Sequence, residues 1–230
     1  MKLAIKQPYF FPYIAYFQQI KEVDKYVIYD DVNYINRGWI NRNNILLNGQ
    51  RYLFTLSLQG ASQNKKINEI TVEENQSKLL KTFETTYKKA PYFDDVFPLI
   101  EQIFEYDNKN LSIFLTNSII KISDYLGLET EFIYSSGIKE KNSELKGQDK
   151  ILNICSVLKA TEYIDSIGGQ VLYDRGVFKQ NNIDLKFLKT ETVPYKQFKN
   201  EFIPYLSMLD MMMFNSVEEI NAQLDKYEMI

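Results

Sequence analysis

The feature that most constrains the fold sits in the first thirty residues. Lys2–Lys6 is a short β-forming run that stops at Gln7-Pro8, because a residue before proline is pushed out of the helical region. Phe11–Val23 then carries Ile14, Phe17, Ile20 and Val23 at helical spacing, with Pro12 suited to a first turn. Lys25–Tyr29 is β-branched and aromatic and ends at Asp30-Asp31. Strand, helix and strand in so short a span predict a βαβ unit and a parallel sheet.

The pattern continues along the chain. Asn44–Leu47 and Arg51–Leu56 flank Asn48-Gly49, a hairpin signal, because both turn residues tolerate positive φ. Three helices are predicted at Asn75–Lys89, Pro91–Tyr106 and Leu111–Leu126, with Pro98 a point where the second can divide. Glu131–Tyr134 reads as a strand, Lys146–Lys159 as a helix and Glu162–Ile167 as a strand running into Gly168-Gly169. A short helix at Leu172–Gln180 and a strand at Ile183–Leu188 follow. The last helices fall at Ser207–Phe214 and from Asn215 or Ser216 to Tyr227. The expectation is an α/β fold: a mixed, mostly parallel sheet with flanking helices and a helical insertion in the middle of the chain. All 230 residues form one domain in this reading, with about 75–128 as a helical subdomain.

Composition narrows the chemistry. The chain has no His and one Cys, which excludes a Ser-His-Asp or Cys-His triad and a Cys/His zinc site. Any catalysis must run on Asp, Glu, Lys, Tyr, Arg, backbone amides or a borrowed group. The net charge of −3 argues against general nucleic-acid affinity. No run reaches the roughly 18–20 apolar residues of a membrane span, and no signal peptide opens the chain, so a cytoplasmic protein is expected.

Charge is uneven. No Asp or Glu occurs between Val32 and Asn68, yet Arg37, Arg42 and Arg51, three of the four arginines, lie there. A guanidinium fork suits phosphate or carboxylate; the same charges would also keep an edge strand soluble. Within this window Trp39, Asn41, Arg42 and Asn43 combine a flat ring, a fork and two amides, a set suited to a sugar or nucleotide. Gln7, Tyr9 and Tyr13 fall near the end of the first strand, where open α/β sheets bind ligands. Asp30 and Asp31 close the second strand and point to opposite faces, so they are not expected to share a proton; one can act as general base or bind a metal with phosphate. Cys155 sits at core spacing on its helix and reads as a small hydrophobe. Gly168-Gly169 lacks the spacing of a dinucleotide fingerprint and reads as a tight turn. Ser207 and Asp210 fit an N-cap and a first-turn carboxylate.

The opening IKQPYFFPYIAYFQQI (Ile5–Ile20) and KYVIYDDVNYINRGWINRN (Lys25–Asn43) resemble the WbqC-like family. TYKKAPYFDDV, YIDSIGGQVLYD and PYLSMLDMMMFNS resemble its later blocks, so the likeness runs through nearly the whole chain. Lys6 departs from a His found before the Gln-Pro pair in some members, and Ala15 from a usual Gly. The resemblance implies a role in bacterial surface-polysaccharide (O-antigen, lipopolysaccharide) biosynthesis. It implies modification of a nucleotide-linked or glycan-linked amino sugar, with acyl or aminoacyl transfer to the sugar amine as the expected reaction. Asp30, Asp31 and Gln7 are then the expected catalytic residues, with Tyr9, Tyr13, Trp39, Asn41, Arg42 and Asn43 on the substrate. The donor would be a thioester of coenzyme A or of an acyl carrier protein, with no intrinsic cofactor. Two alternatives stay open: a non-catalytic assembly protein of the same pathway, and a metal-dependent nucleotidyl- or phosphotransferase.

Overall fold

The computed structural model describes residues 1–230. Strand β1 (Lys2–Lys6), helix α1 (Ile14–Glu22) and strand β2 (Lys25–Ile28) form the expected βαβ unit, with Ile5 beside Val27 in parallel register. A hairpin of β3 (Arg42–Leu47) and β4 (Gln50–Thr55) follows, then a small pair, β5 (Leu58–Gln59) and β6 (Thr71–Val72). Helices α2 (Ser77–Tyr87), α3 (Phe93–Phe104) and α4 (Leu111–Leu126) come next. The sheet then resumes with β7 (Glu131–Tyr134), α5 (Gly147–Val157), β8 (Glu162–Ser166), α6 (Arg175–Gln180) and β9 (Asp184–Thr190). Helices α7 (Met208–Phe214) and α8 (Val217–Leu224) precede a last strand, β10 (Tyr227–Met229). The six-stranded sheet has the order β10-β9-β8-β1-β2-β7, and only β10 runs antiparallel.

Both faces of the sheet are covered, as a parallel sheet requires. Side chains alternate across each strand, so Leu3, Ile5 and Val27 join one core with Ile154, Cys155, Phe178 and Phe187. Ala4, Tyr26 and Ile28 face the other way, into a larger core with Phe17 and Ile20 of α1. Phe83, Val96, Ile100, Phe114 and Ile119 of α2–α4 are part of that same larger core. The hairpin turn is as expected: Asn48 and Gly49 both take positive φ, 51° and 73°.

Four elements differ from their sequence expectations. Helix α1 begins at Ile14, not Phe11, and Pro12 lies outside it. Phe11 has φ 45°, and its carbonyl accepts a 2.7 Å bond from Asn43 Nδ2. The left-handed turn allows the adjacent rings of Phe10 and Phe11 both to be buried, against Phe54, Phe83, Phe104 and Phe114. Tertiary burial here outweighs the helical spacing. Helix α3 runs unbroken through Pro98. Pro98 and Asp94 are exposed, so the carbonyl that proline leaves without a partner lies on the solvent side. Helix α6 begins at Arg175 behind an Asp174 cap, because residues 167–172 form a 3₁₀ turn. The final helix stops at Leu224, and Tyr227 opens β10 against β9. Three residues are too few to show a period of two.

Candidate functional site at the carboxyl ends of the parallel strands

From β1 the chain crosses to β2 on one side; from β8 it crosses to β9 on the other. The carboxyl ends of β1 and β8 therefore flank the point where the winding reverses, the place open α/β sheets leave for a ligand. Lys6 ends β1 and Asp165 lies one residue from the end of β8. Their side chains form an ion pair, and Lys6 Nζ also donates to Ser166 Oγ at 2.9 Å. Asp165 is 4% exposed, Lys6 20%, so the ammonium is the accessible member of the pair. The Ser166 amide donates to Asp165 Oδ1 at 2.6 Å. Gly169 packs against this carboxylate so closely that a methyl group there would overlap it. Sequence reading assigned this glycine to a tight turn; the turn exists, and it also makes room for Asp165.

Tyrosines surround the pair. Burial, then the charge of Asp165, pushes the Tyr173 phenol up to about 12, and the same two causes raise Tyr9. Tyr173 and Tyr163 hydroxyls lie 3.5 Å apart. These phenols stay protonated at neutral pH. Gln7 follows Lys6 and is half-buried; its carbonyl accepts a 3.0 Å bond from Tyr16.

A second cluster lies at the ends of β2 and β7. Asp31 Oδ1 accepts from Ser135 Oγ at 2.7 Å, while Oδ2 lies 3.1 Å from Lys150 Nζ and 3.2 Å from Lys141 Nζ. Burial alone would raise the Asp31 carboxyl; the Ser135 hydroxyl and the two ammonium groups outweigh it and hold it below the usual carboxylate range. Lys141 also donates to the Ser135 carbonyl, and Lys150 stands 4.9 Å over the Tyr29 ring. Asp30 has different partners: the Ser136 amide at 2.9 Å, Ser136 Oγ at 2.6 Å and Asn68 Nδ2 at 3.2 Å. The adjacent carboxylates are thus held apart by separate partner sets.

The acid-free window is arranged differently. Asn41 accepts from Tyr34 at 2.7 Å and donates to the Leu56 carbonyl at 2.8 Å. Asn43 holds the Phe11 carbonyl and accepts the Asn44 amide. Arg42 donates to the carbonyls of Gly38 and Arg37 in its own loop, and Arg51 to that of Pro204. Trp39 is 51% exposed. A 3.0 Å bond from the Phe10 amide to the Ile40 carbonyl fixes this loop beside residues 9–11. Tyr13 packs on Tyr205. The structure therefore gathers Gln7 and Tyr9 beside Lys6, puts Asp30 and Asp31 one strand over, and ties Asn41, Arg42 and Asn43 to backbone carbonyls.

Sequence reading passed over Lys141, Lys150, Ser135, Asp165, Ser166, Tyr29 and Tyr173 as site residues. One signal was available: the polar residues at the ends of the strands predicted after the helical insertion.

Three further buried groups, Ser207, Asp210 and Cys155, belong to the scaffold. Ser207 precedes α7 without a side-chain capping bond, and its hydroxyl has no partner. Asp210 is not spent on a helix end: it accepts from Tyr87 and Tyr195 at 2.7 Å and from Gln197 at 2.9 Å. Burial raises its pKa despite these donors. Burial pushes the Cys155 thiol up to about 12, in keeping with a core residue. A concavity of about 750 Å³ runs along α2 between Leu47 and Thr86, but it is open and gathers no paired acid and base. No group of three or more Asp, Glu, His or Cys side chains converges on a possible metal position. No helix is long and apolar enough to cross a membrane.

Fold and strand-end residues together define an α/β protein with polar side-chain clusters at the carboxyl ends of its parallel strands, one of them at a reversal of sheet winding. The chain belongs to the WbqC-like protein family, whose model matches residues 7–222. It is similar to a Mycobacterium tuberculosis protein described as uncharacterized protein Rv1507c, 27% identical over 216 residues that cover 92% of each chain. No solved structure matches.

Proposed function

We propose that this protein is a transferase that acylates or aminoacylates the amine of a nucleotide-linked or glycan-linked amino sugar in bacterial surface-polysaccharide biosynthesis. The observation that carries the reading is the Lys6–Asp165–Ser166 constellation at the winding reversal, ringed by Tyr9 and Tyr173. The family resemblance supplies the substrate class; the residues supply an acid–base pair in a chain without imidazole.

In this reaction the sugar nitrogen attacks the thioester carbonyl, forming a C–N bond and an oxyanion. Asp165 takes the proton that the nitrogen gives up. The Lys6 ammonium faces the oxyanion and lowers its energy. The C–S bond then breaks, and the proton passes to the departing thiolate. Asp30 and Asp31, the carboxylates first expected in the proton-accepting role, lie at the end of β2, one strand away from the winding reversal, whereas Asp165 lies at it with no hydrogen-bond donor on its Oδ2, so this reading moves that role to Asp165. Tyr9 and Gln7 lie on the same strand-end loop and orient the sugar.

The test is turnover of a nucleoside-diphosphate amino sugar with acyl and aminoacyl thioesters, followed by product mass. Lys6→Met and Asp165→Asn should each lower kcat at least about 100-fold, the usual weight of a positioned acid or base. Undiminished turnover in Asp165→Asn would sink the assignment.

A further inference from the structure

The two edges of the β3–β4 hairpin are finished differently. The Leu56 amide bonds the Asn41 carbonyl, and this fixes the phase of the ladder. Residues 50, 52 and 54 aim their backbone groups at β3, while Arg51, Leu53 and Thr55 aim theirs away from it. On the far side of β3 the outward groups are used: the Asn44 carbonyl accepts from the Ser207 amide at 2.8 Å, and the Leu46 amide donates to the Tyr87 hydroxyl at 3.4 Å. At the β4 edge the outward N–H and C=O groups of Arg51, Leu53 and Thr55 have no partner within the chain. Such an edge is a template for another strand, and it is usually guarded by lysine, proline or a bulge. Gln50–Thr55 has no lysine and no proline, and its register with β3 is uninterrupted. Its one charge, Arg51, donates to the Pro204 carbonyl. Tyr52 and Leu53, on opposite faces of the strand, are each 44% exposed. A cleft of about 600 Å³ lies alongside, between Tyr52–Thr55 and the chain from Glu73 into α2.

We propose that the β4 edge pairs with the same edge of a second copy of this chain, antiparallel about a two-fold axis at Leu53. This register engages every unpaired backbone group of the edge, because outward residues meet outward residues throughout. Each Leu53 faces the other, each Tyr52 faces a Phe54, and each Arg51 faces a Thr55, so no like charges are opposed. Parallel pairing in register would instead set Arg51 against Arg51. Glu73 lines the cleft beside Thr55, so the Arg51 of the second copy arrives next to a carboxylate. Neither Arg51 nor Glu73 has an ion-pair partner in its own chain. The two-fold axis makes this charge match twice, which a single foreign strand does not. The cleft then receives the hairpin end of the second copy, and the hairpins merge into one four-stranded sheet. The pairing is independent of the transferase reading.

Sedimentation equilibrium and amide hydrogen exchange of the full chain provide the test. The chain should form a dimer as its concentration is raised. Exchange at the Arg51, Leu53 and Thr55 amides should slow at least about tenfold between dilute and concentrated protein, a measurement that needs no variant. Leu53→Pro removes an outward N–H and no ladder bond, so it should abolish the dimer while the melt of the dilute protein stays close to that of the parent. Arg51→Glu should weaken association at least about tenfold, and Glu73→Arg added to it should restore the dimer. A chain that stays monomeric at every concentration, a dimer whose three edge amides exchange as fast as in the monomer, or a double variant no better than Arg51→Glu would each overturn the proposal. In the first case, slowed exchange at those amides on adding an extended peptide would give the edge to a foreign strand instead.

Discussion

The arginine-bearing window from Val32 to Asn68 and the row of strand ends contain the same kinds of polar groups, used in opposite ways. In the window, Arg42 and Arg51 donate to backbone carbonyls, and Asn41 and Asn43 stitch the hairpin to residues 11 and 56. At the strand ends, Lys6 meets a carboxylate 159 residues away and Lys150 one 119 residues away. Groups that satisfy neighbouring backbone hold a loop. Groups that converge from separate strands make a place where charge is concentrated and water is scarce, which is where acid–base chemistry is effective.

The largest effect expected from this contrast is at Gly169. Gly169→Ala puts a methyl group where the Asp165 carboxylate lies, so Asp165 or the 167–172 turn must shift. Overpacking of this kind costs about 1–3 kcal/mol of stability. Transfer activity should fall at least about 100-fold, because a displacement near 1 Å is enough to lose that much. Turnover and urea unfolding of the same variant measure the two effects; full activity would break the assignment of Asp165 to the reaction.

The window supplies a smaller test. Asn43→Ala removes a buried bond to the Phe11 carbonyl and should destabilise by about 1–3 kcal/mol. Arg42→Ala removes bonds within one surface loop and should change stability by about 0.5 kcal/mol or less. Urea melts of both variants check the order. Loss of nucleotide-sugar binding in Arg42→Ala would reverse the comparison and place the ligand on the window.

The smallest effects concern two carboxylates with opposite pH behaviour. Asp31 has its pKa lowered on folding, so its stabilisation is present above its unfolded pKa and is lost as pH falls through the folded value. Asp210 has its pKa raised, so its contribution is most favourable at low pH and is lost as pH rises through the folded value. Unfolding free energy measured from pH 3 to 7 should lose part of its acid-side fall in Asp31→Asn. In Asp210→Asn the fall should steepen, because the opposing contribution is gone. Parallel profiles for the two variants would show that the partner sets around them are not what sets their charge.

Much of the architecture was legible in residue order. The βαβ opening, the Asn48-Gly49 hairpin, α4 and β7 followed from periodicity and turn chemistry, which are local properties. The start of α1 was not, because Phe11 takes positive φ to bury two adjacent rings against helices some seventy to a hundred residues away. Gln7, Tyr9, Asp30 and Asp31 were legible as strand-end residues, whereas Lys141, Lys150 and Asp165 were not. Their meaning depends on which strands lie side by side, and residue types alone do not specify strand order.

The sequence by itself determined that this is a chain of alternating strands and helices and that its acid–base groups are carboxylates, phenols and ammonium groups, since it has no histidine. The tertiary structure decided which of them meet. By placing β8 beside β1, and β7 beside β2, it brought Asp165 to Lys6 and two lysines to Asp31. The physical reason is that hydrophobic alternation fixes which face of a strand is buried. The strand's neighbours are chosen by how the helices cover the sheet, and with them the charges its end will face.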